Sequence, residues 1–258
     1  MFDAKKVTEG IIRFIRNYYR KNNLKGVVLG ISGGKDSAVV AGLFTRALGA
    51  ENVVGLTLPC HSKTADTKDA KLVSKHFGFR LFNLDLTSVF DTFEAEFKKS
   101  FEFDLAVLND SNINLKPRLR MAAAYYVAAA FSNFERAGFL VAGTSNACEL
   151  YVGYFTKGGD NVHDISVLAD LTVEEVIKVG EYIGVPLEIL YKEPSDGLSN
   201  LSDEEKLAVK YKEIAKVIND EPVEEAIYNR IALLNKRNKH KFKIPKYKKS
   251  KTIRARLT

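Results

Sequence analysis

Eight consecutive residues, Gly30-Ile31-Ser32-Gly33-Gly34-Lys35-Asp36-Ser37, combine the types needed to hold a polyphosphate. Ser32, Gly33 and Gly34 remove side-chain bulk over three positions, so the backbone is free to curl with its amides converging on one anion. Asp36 adds a hard oxygen ligand for a magnesium ion carried by the phosphates. Two elements must position this loop. The apolar, β-branched run Gly26-Val27-Val28-Leu29 reads as a buried strand entering it. Ala38 to Leu48 places apolar residues at helical spacing, so a helix N-terminus with its positive dipole lies where the loop ends. Spacing excludes two other glycine loops. Lys35 is followed by Asp36 where a Walker A loop has Ser or Thr, and Gly30 and Gly33 have the wrong interval for a dinucleotide fingerprint.

The rest of the chain alternates strands and helices. Asp3 to Tyr19 carries an apolar stripe of Val7, Ile11, Phe14, Ile15 and Tyr18, which predicts an amphipathic helix before the first strand. Asn52 to Leu58, Phe79 to Leu86 and Phe139 to Gly143 read as further strands. Thr64 to Phe77, Ser88 to Lys98 and the Ala-rich Pro117 to Phe134 read as helices, with Lys99 to Leu115 irregular. Thr144-Ser145-Asn146 is a cap for a following helical turn. Helical patterns return at Thr172 to Ile183, after Pro186, from Ser202 to Ile218 and from Glu221 to Asn235, with Pro194 to Asn200 a loop. This spacing predicts an α/β fold, a doubly wound parallel sheet flanked by helices, with a C-terminal helical elaboration. A ligand then belongs at the carboxyl ends of the strands.

With 258 residues and 46% of them hydrophobic, the chain can bury one large core, and a single domain over 1–258 is expected. No stretch reaches the length of a transmembrane helix and the N-terminus lacks the apolar core of a signal peptide, so a cytoplasmic setting is expected. Cys60 and Cys148 form no paired motif, which leaves zinc and disulfides unsupported. The net charge of +7 is concentrated in a basic tail over 236–258, whose eleven Lys and Arg face no acid. The remainder holds 28 basic residues (39 less 11) against 32 acidic ones. A tail of this kind is compatible with RNA, with an anionic substrate near the site or with plain solvation.

The phosphate loop resembles the S-G-G-x-D-S signature of the PP-loop ATP pyrophosphatases, which split ATP into AMP and pyrophosphate. Four further segments narrow the resemblance: Lys116-Pro117-Arg118-Leu119-Arg120-Met121, Gly143-Thr144-Ser145-Asn146-Ala147-Cys148-Glu149, Gly153-Tyr154-Phe155-Thr156-Lys157 with Gly159-Asp160, and Lys192-Glu193-Pro194-Ser195-Asp196-Gly197-Leu198. In this order they resemble the ammonia-dependent NAD synthetases, which have an adenine nucleotide alpha hydrolase-like fold. The resemblance implies that Gly30 through Ser37, Thr144 and Ser195 contact ATP, and that Asp36 and Glu149 bind magnesium. It implies that Arg118, Lys157, Asp164, His240 and Lys241 hold deamido-NAD, with Asp36, Glu149 and Lys157 the catalytic set. A homodimer is implied too, with the helix from Pro117 a candidate contact.

The implied reaction is amidation of deamido-NAD by free ammonia, with ATP as co-substrate and an acyl-adenylate intermediate. Three departures from the family pattern stand out. Val173 occupies a position where the family often has a lysine, Asn161-Val162-His163 replaces a glycine-rich continuation, and Lys239-His240-Lys241-Phe242 alters the tail motif. The competing readings are a PP-loop transfer-RNA modifying enzyme, a thiolase or lysidine synthetase that uses the basic tail, and a nucleotide-binding regulatory module without chemistry. A nucleic-acid partner is not expected, because the Tyr-Phe-Thr-Lys segment has no purpose in the first of these.

Overall fold

The computed structural model describes residues 2–62, 64–101, 108–192 and 202–247. Five strands form one sheet: β1 (Leu24–Gly30), β2 (Val53–Thr57), β3 (Arg80–Asn83), β4 (Gly138–Gly143) and β5 (Ile165–Ser166), in the order β3-β2-β1-β4-β5. All neighbours are parallel, with Val28 of β1 in register with Val54 on one side and Val141 on the other. The period-two alternation of β1 divides the core between the faces. Val27 and Leu29 pack with Ile15, Phe44 and Val179 beneath α1 (Ala4–Lys21), α2 (Lys35–Leu48) and α7 (Val173–Ile183). Val28 joins Val54, Leu56 and Val141 beneath Ala124 and Ala128 of α5 (Asn109–Glu135). Each fully buried Leu or Phe contributes roughly 1.5–3 kcal/mol. The doubly wound sheet is therefore as the sequence predicts. Gly26 is required where β1 meets β4, because a Cβ there would lie 2.2 Å from the Phe139 ring.

α3 (Thr64–Phe77) and α4 (Thr87–Ser100) complete the crossovers, and α8 (Leu187–Leu190) follows α7. The C-terminal elaboration consists of α6 (Ala147–Val152), α9 (Asp203–Leu207), α10 (Tyr211–Ile218) and α11 (Glu225–Asn238). They close around Cys148, Val152, Leu207, Tyr211, Ile214 and Ile231.

Three local expectations are corrected. The stretch expected to be irregular up to Leu115 is helical from Asn109, and Pro117 lies inside α5. Side-chain bonds to neighbours hold this polar start: Asn112 Nδ2 donates to Glu94 Oε1 at 2.8 Å, and Asn114 Oδ1 accepts from Thr156 Oγ1 at 3.0 Å. The helix expected from Ser202 to Ile218 is broken at Ala208, whose φ of 53° is left-handed. Ile165–Ser166 adds an edge strand too short for periodicity to reveal. Pro194 to Asn200 lies outside the described residues.

Candidate active site

The phosphate loop leaves the sheet where strand order reverses, between β2 and β4, with Ile31 N donating to Leu56 O at 2.8 Å. Gly33 has a φ of 80°, a conformation that glycine adopts without strain. Two hydroxyls hold the curl. Ser37 Oγ accepts from Ser32 N at 3.2 Å and donates to Gly34 O at 3.0 Å, and Ser32 Oγ accepts from Gly34 N at 3.2 Å. Gly34 is the N-cap of α2, so Lys35, Asp36 and Ser37 form its first turn. Gly30 faces open space at the end of β1. Lys35 is 6% exposed and pairs with Asp36 at 3.0 Å. Burial opposes its charge, but Asp36 beside it, reinforced by Glu149 and Asp203, holds the ammonium above its ordinary value.

The acidic pair is assembled by a residue that sequence reasoning assigned only to a cap. Asn146, fully buried, donates from Nδ2 to Asp36 Oδ1 at 3.1 Å. Its Oδ1 accepts from Cys148 N and Glu149 N, and its own N–H donates to Glu149 Oε2 at 3.0 Å, which completes a capping box on α6. One asparagine thus touches both carboxylates expected to bind metal. Burial first, and the Asp36 charge second, push the Glu149 carboxyl up to about 8. That repulsion between paired hard-oxygen donors is what a divalent cation would relieve, so the residues present fit magnesium. Thr144 directly follows β4, two residues before Asn146, and is half-buried. Val173, where the family pattern has lysine, packs on the apolar cluster of the C-terminal helices, and the buried cation of the site is Lys35.

On the α5 side, Arg118 Nε and Nη2 donate to Lys157 O at 3.3 and 3.2 Å, which joins two of the expected dinucleotide residues. The turn bearing Lys157 is tied by Asp160 Oδ1, which accepts from Thr156 N, and by Asn161 Oδ1, which accepts from Gly158 N. Lys241 Nζ donates to Gly153 O and Phe155 O, both at 2.8 Å, and burial lowers its ammonium from the ordinary value. Asp164 accepts from Val141 N through Oδ2 and from Tyr125 OH through Oδ1, bracing β4. His240 is exposed, with Nδ1 at 3.0 Å from Arg237 O. Ser195 lies outside the described residues. Cys60 and Cys148 are buried and unpaired.

Residues 7–247 match the family model described as NAD synthase. The chain is 37% identical over 245 residues to the NH(3)-dependent NAD(+) synthetase of Malacoplasma penetrans, covering 95% of each chain. It is 39% identical over 216 residues to that of Methanocaldococcus jannaschii, covering 83% of this chain and 80% of the relative. Among solved structures it resembles the NMN synthetase from Francisella tularensis, with a TM-score of 0.85 and 30% identity over 96% of this chain and 99% of that one. The NH3-dependent NAD synthetase from Campylobacter jejuni matches with a TM-score of 0.77 and 28% identity, over 96% and 100%. A phosphate loop at the switch point, a carboxylate pair bridged by Asn146 and these likenesses have one reading: the chain belongs to the NAD synthase family and carries out ATP-dependent amidation of deamido-NAD with ammonia.

Proposed function

We propose that the amidation runs through an acyl-adenylate formed at the phosphate loop. A nicotinate carboxylate is a poor electrophile toward ammonia. Its oxygen therefore first attacks the α-phosphorus of ATP, and the bond to the β-phosphate oxygen breaks to release pyrophosphate. Ammonia then adds to the acyl carbon, the bond to AMP breaks, and the nitrogen loses a proton to give the amide. The loop amides and Lys35 neutralise charge on the departing pyrophosphate. Asp36 and Glu149 would hold magnesium, which supplies further charge neutralisation when bound.

Arg118 and Lys157, already in contact, orient the dinucleotide. Asp164 and Lys241 act from behind, bracing β4 and the 153–157 turn, while His240 is free to meet the substrate at the surface. The observation that carries this reading is the Asn146 bridge, because it places both acids beside the loop that receives the phosphates.

The single-domain reading is supported by a family match over nearly the whole chain. We place the protein in a reducing, cytoplasmic setting on its two unpaired buried cysteines; among the described residues no helix is long and apolar enough to cross a membrane. A homodimer is supported by apolar side chains that α4 and α5 leave exposed, Phe93 at 55%, Tyr126 at 78% and Phe134 at 82%.

The test is a product assay with ATP, magnesium and ammonium, reading NAD, AMP and pyrophosphate together. Equal amounts of all three, dependent on deamido-NAD, are expected; AMP without NAD would refute the mechanism. Asp36→Asn keeps an acceptor for Asn146 but removes the charge, and should lower turnover by about a hundredfold or more. The likeness to an NMN synthetase makes nicotinate mononucleotide a second acceptor to run in parallel.

A further inference from the structure

α1 carries Glu9, Arg13, Arg16 and Arg20 on one stripe, spaced three or four residues apart. In the sequence this is the polar face of an amphipathic helix. The fold sets the stripe across from Arg46, in the last turn of α2, with an open groove of about 690 Å³ between them. That volume lies within the range of small-molecule sites. The groove is remote from the phosphate loop. α2 starts at that loop, and Arg46 stands eleven residues along it from Lys35 (46 less 35), about 16 Å at the helical rise.

Neutral oxygens hold the guanidinium groups in place. Arg16 donates from Nε to Ala47 O at 3.0 Å and from Nη2 to Arg46 O at 2.8 Å. Arg46 Nη2 donates to Ile183 O at 2.8 Å, and Arg20 Nη2 donates to Asn17 Oδ1 at 3.2 Å. Three of these bonds satisfy carbonyls at the C-terminal ends of α2 and α7, and all four leave the charges standing. Four guanidinium groups offer about 20 N–H donors, of which the described chain occupies four. Among the described residues none of the four arginines forms an ion pair, and Glu9, the one acid lining the groove, pairs with none of them.

Like charges are thus fixed around one concavity, although the chain before its tail carries more acids than bases. A multiply charged anion relieves that repulsion, and guanidinium groups already held in position lose little freedom in meeting it. Their paired N–H donors match two oxygens of a phosphate. The lining contains no aromatic ring on which a base could stack, so recognition falls on the phosphates alone.

We propose that the groove between α1 and α2 is a second anion site, separate from the phosphate loop, that takes linked phosphoryl groups: inorganic pyrophosphate or the phosphate chain of a nucleotide. Arg13 and Arg20 are its main contacts, because neither holds a helix end. Arg16 and Arg46 add their remaining N–H groups.

The experiment is equilibrium dialysis of the full-length protein against inorganic pyrophosphate, in chelator and without other substrates, counting sites per chain. Arg13→Gln with Arg20→Gln is expected to lose one site relative to wild type, or to bind there at least about tenfold more weakly. Both arginines are exposed, and the variant is expected to keep wild-type turnover in the product assay, which shows that it folds and that the phosphate loop is intact. Lys5→Gln with Lys6→Gln removes the same charge from the same helix outside the groove and is expected to bind as wild type does. The proposal is overturned if wild type binds no pyrophosphate, if the arginine variant binds as wild type does, or if the lysine variant shows the same loss. Should the arginine pair not fold, Arg13→Gln alone, whose guanidinium makes no hydrogen bond among the described residues, decides the matter by the same affinity. Competition identifies the source: displacement of the groove-bound pyrophosphate by ATP assigns the site to nucleotide phosphate chains, and its absence assigns it to the inorganic ion. Equal displacement by AMP would overturn the requirement for linked phosphoryl groups. Binding of a short RNA in place of pyrophosphate, lost in the arginine variant, would overturn the small-anion reading.

Discussion

Replacing Glu149 with Gln isolates the electrostatic strain stored in the ligand-free site. The amide oxygen of Gln can still accept from Asn146 N, now at 3.0 Å from Glu149 Oε2, so the capping box of α6 survives and the titrating charge does not. The Glu149 carboxyl is raised from 4.5 to about 8, by burial first and the Asp36 charge second. A raised carboxyl means that the folded state holds a proton which the unfolded chain has released, so its contribution to stability is complete below pH 4.5 and is lost as pH climbs toward 8. At ~1.4 kcal/mol per unit, the loss by pH 7 is about 3 kcal/mol. For a chain of this length that corresponds to a drop in Tm on the order of 6–12 °C.

The assay is thermal unfolding of wild type and Glu149→Gln in chelator from pH 4.5 to 8. The variant should gain on the wild type steadily across this window, and the gap should shrink or invert when magnesium and ATP are added. Parallel curves in chelator, with no gap opening, would refute the argument that Glu149 is held against Asp36.

Two further outcomes follow from packing. Gly153 has a φ of 68° and an added Cβ would lie 2.4 Å from Asn238 Cβ, so Gly153→Ala should cost about 2–3 kcal/mol and raise KM for deamido-NAD; an unchanged Tm would contradict it. Light scattering should show a dimer that Tyr126→Asp with Phe134→Asp converts to a monomer, and a monomeric wild type would remove the proposed interface.

What could be read from the sequence was local. The phosphate loop is a few contiguous residues between a strand and a helix, and Ser37, Ser32 and Gly34 close it on themselves. The Asn146 to Glu149 spacing is that of a capping box, also local, although only the folded chain shows Asn146 reaching Asp36 from 110 positions away. The elements that sequence reasoning misplaced depend on distant partners. Asn109 begins a helix because Asn112 and Asn114 bond to α4 and to Thr156. Pro117 stays within it although a proline forfeits one hydrogen bond, with its ring set against the turn at Gly159. Ala208 adopts a left-handed conformation while Arg230 Nε holds Leu207 O at 2.9 Å. Asp164 and Lys241, which the resemblance gives as substrate contacts, also bond to Val141 N and Tyr125 OH and to the carbonyls of the 153–157 turn, contacts that only the folded chain reveals.

Lys241 also sets an order of assembly. A chain made from its N-terminus completes the central strands and the phosphate loop long before residue 241 emerges, and N-terminal parts begin folding first. The carbonyls of Gly153 and Phe155 must wait for that lysine. The phosphate loop can therefore form on the ribosome while the 153–157 turn is still unlatched. A product truncated before residue 241 would keep its phosphate loop while the 153–157 turn loses its two bonds to that lysine.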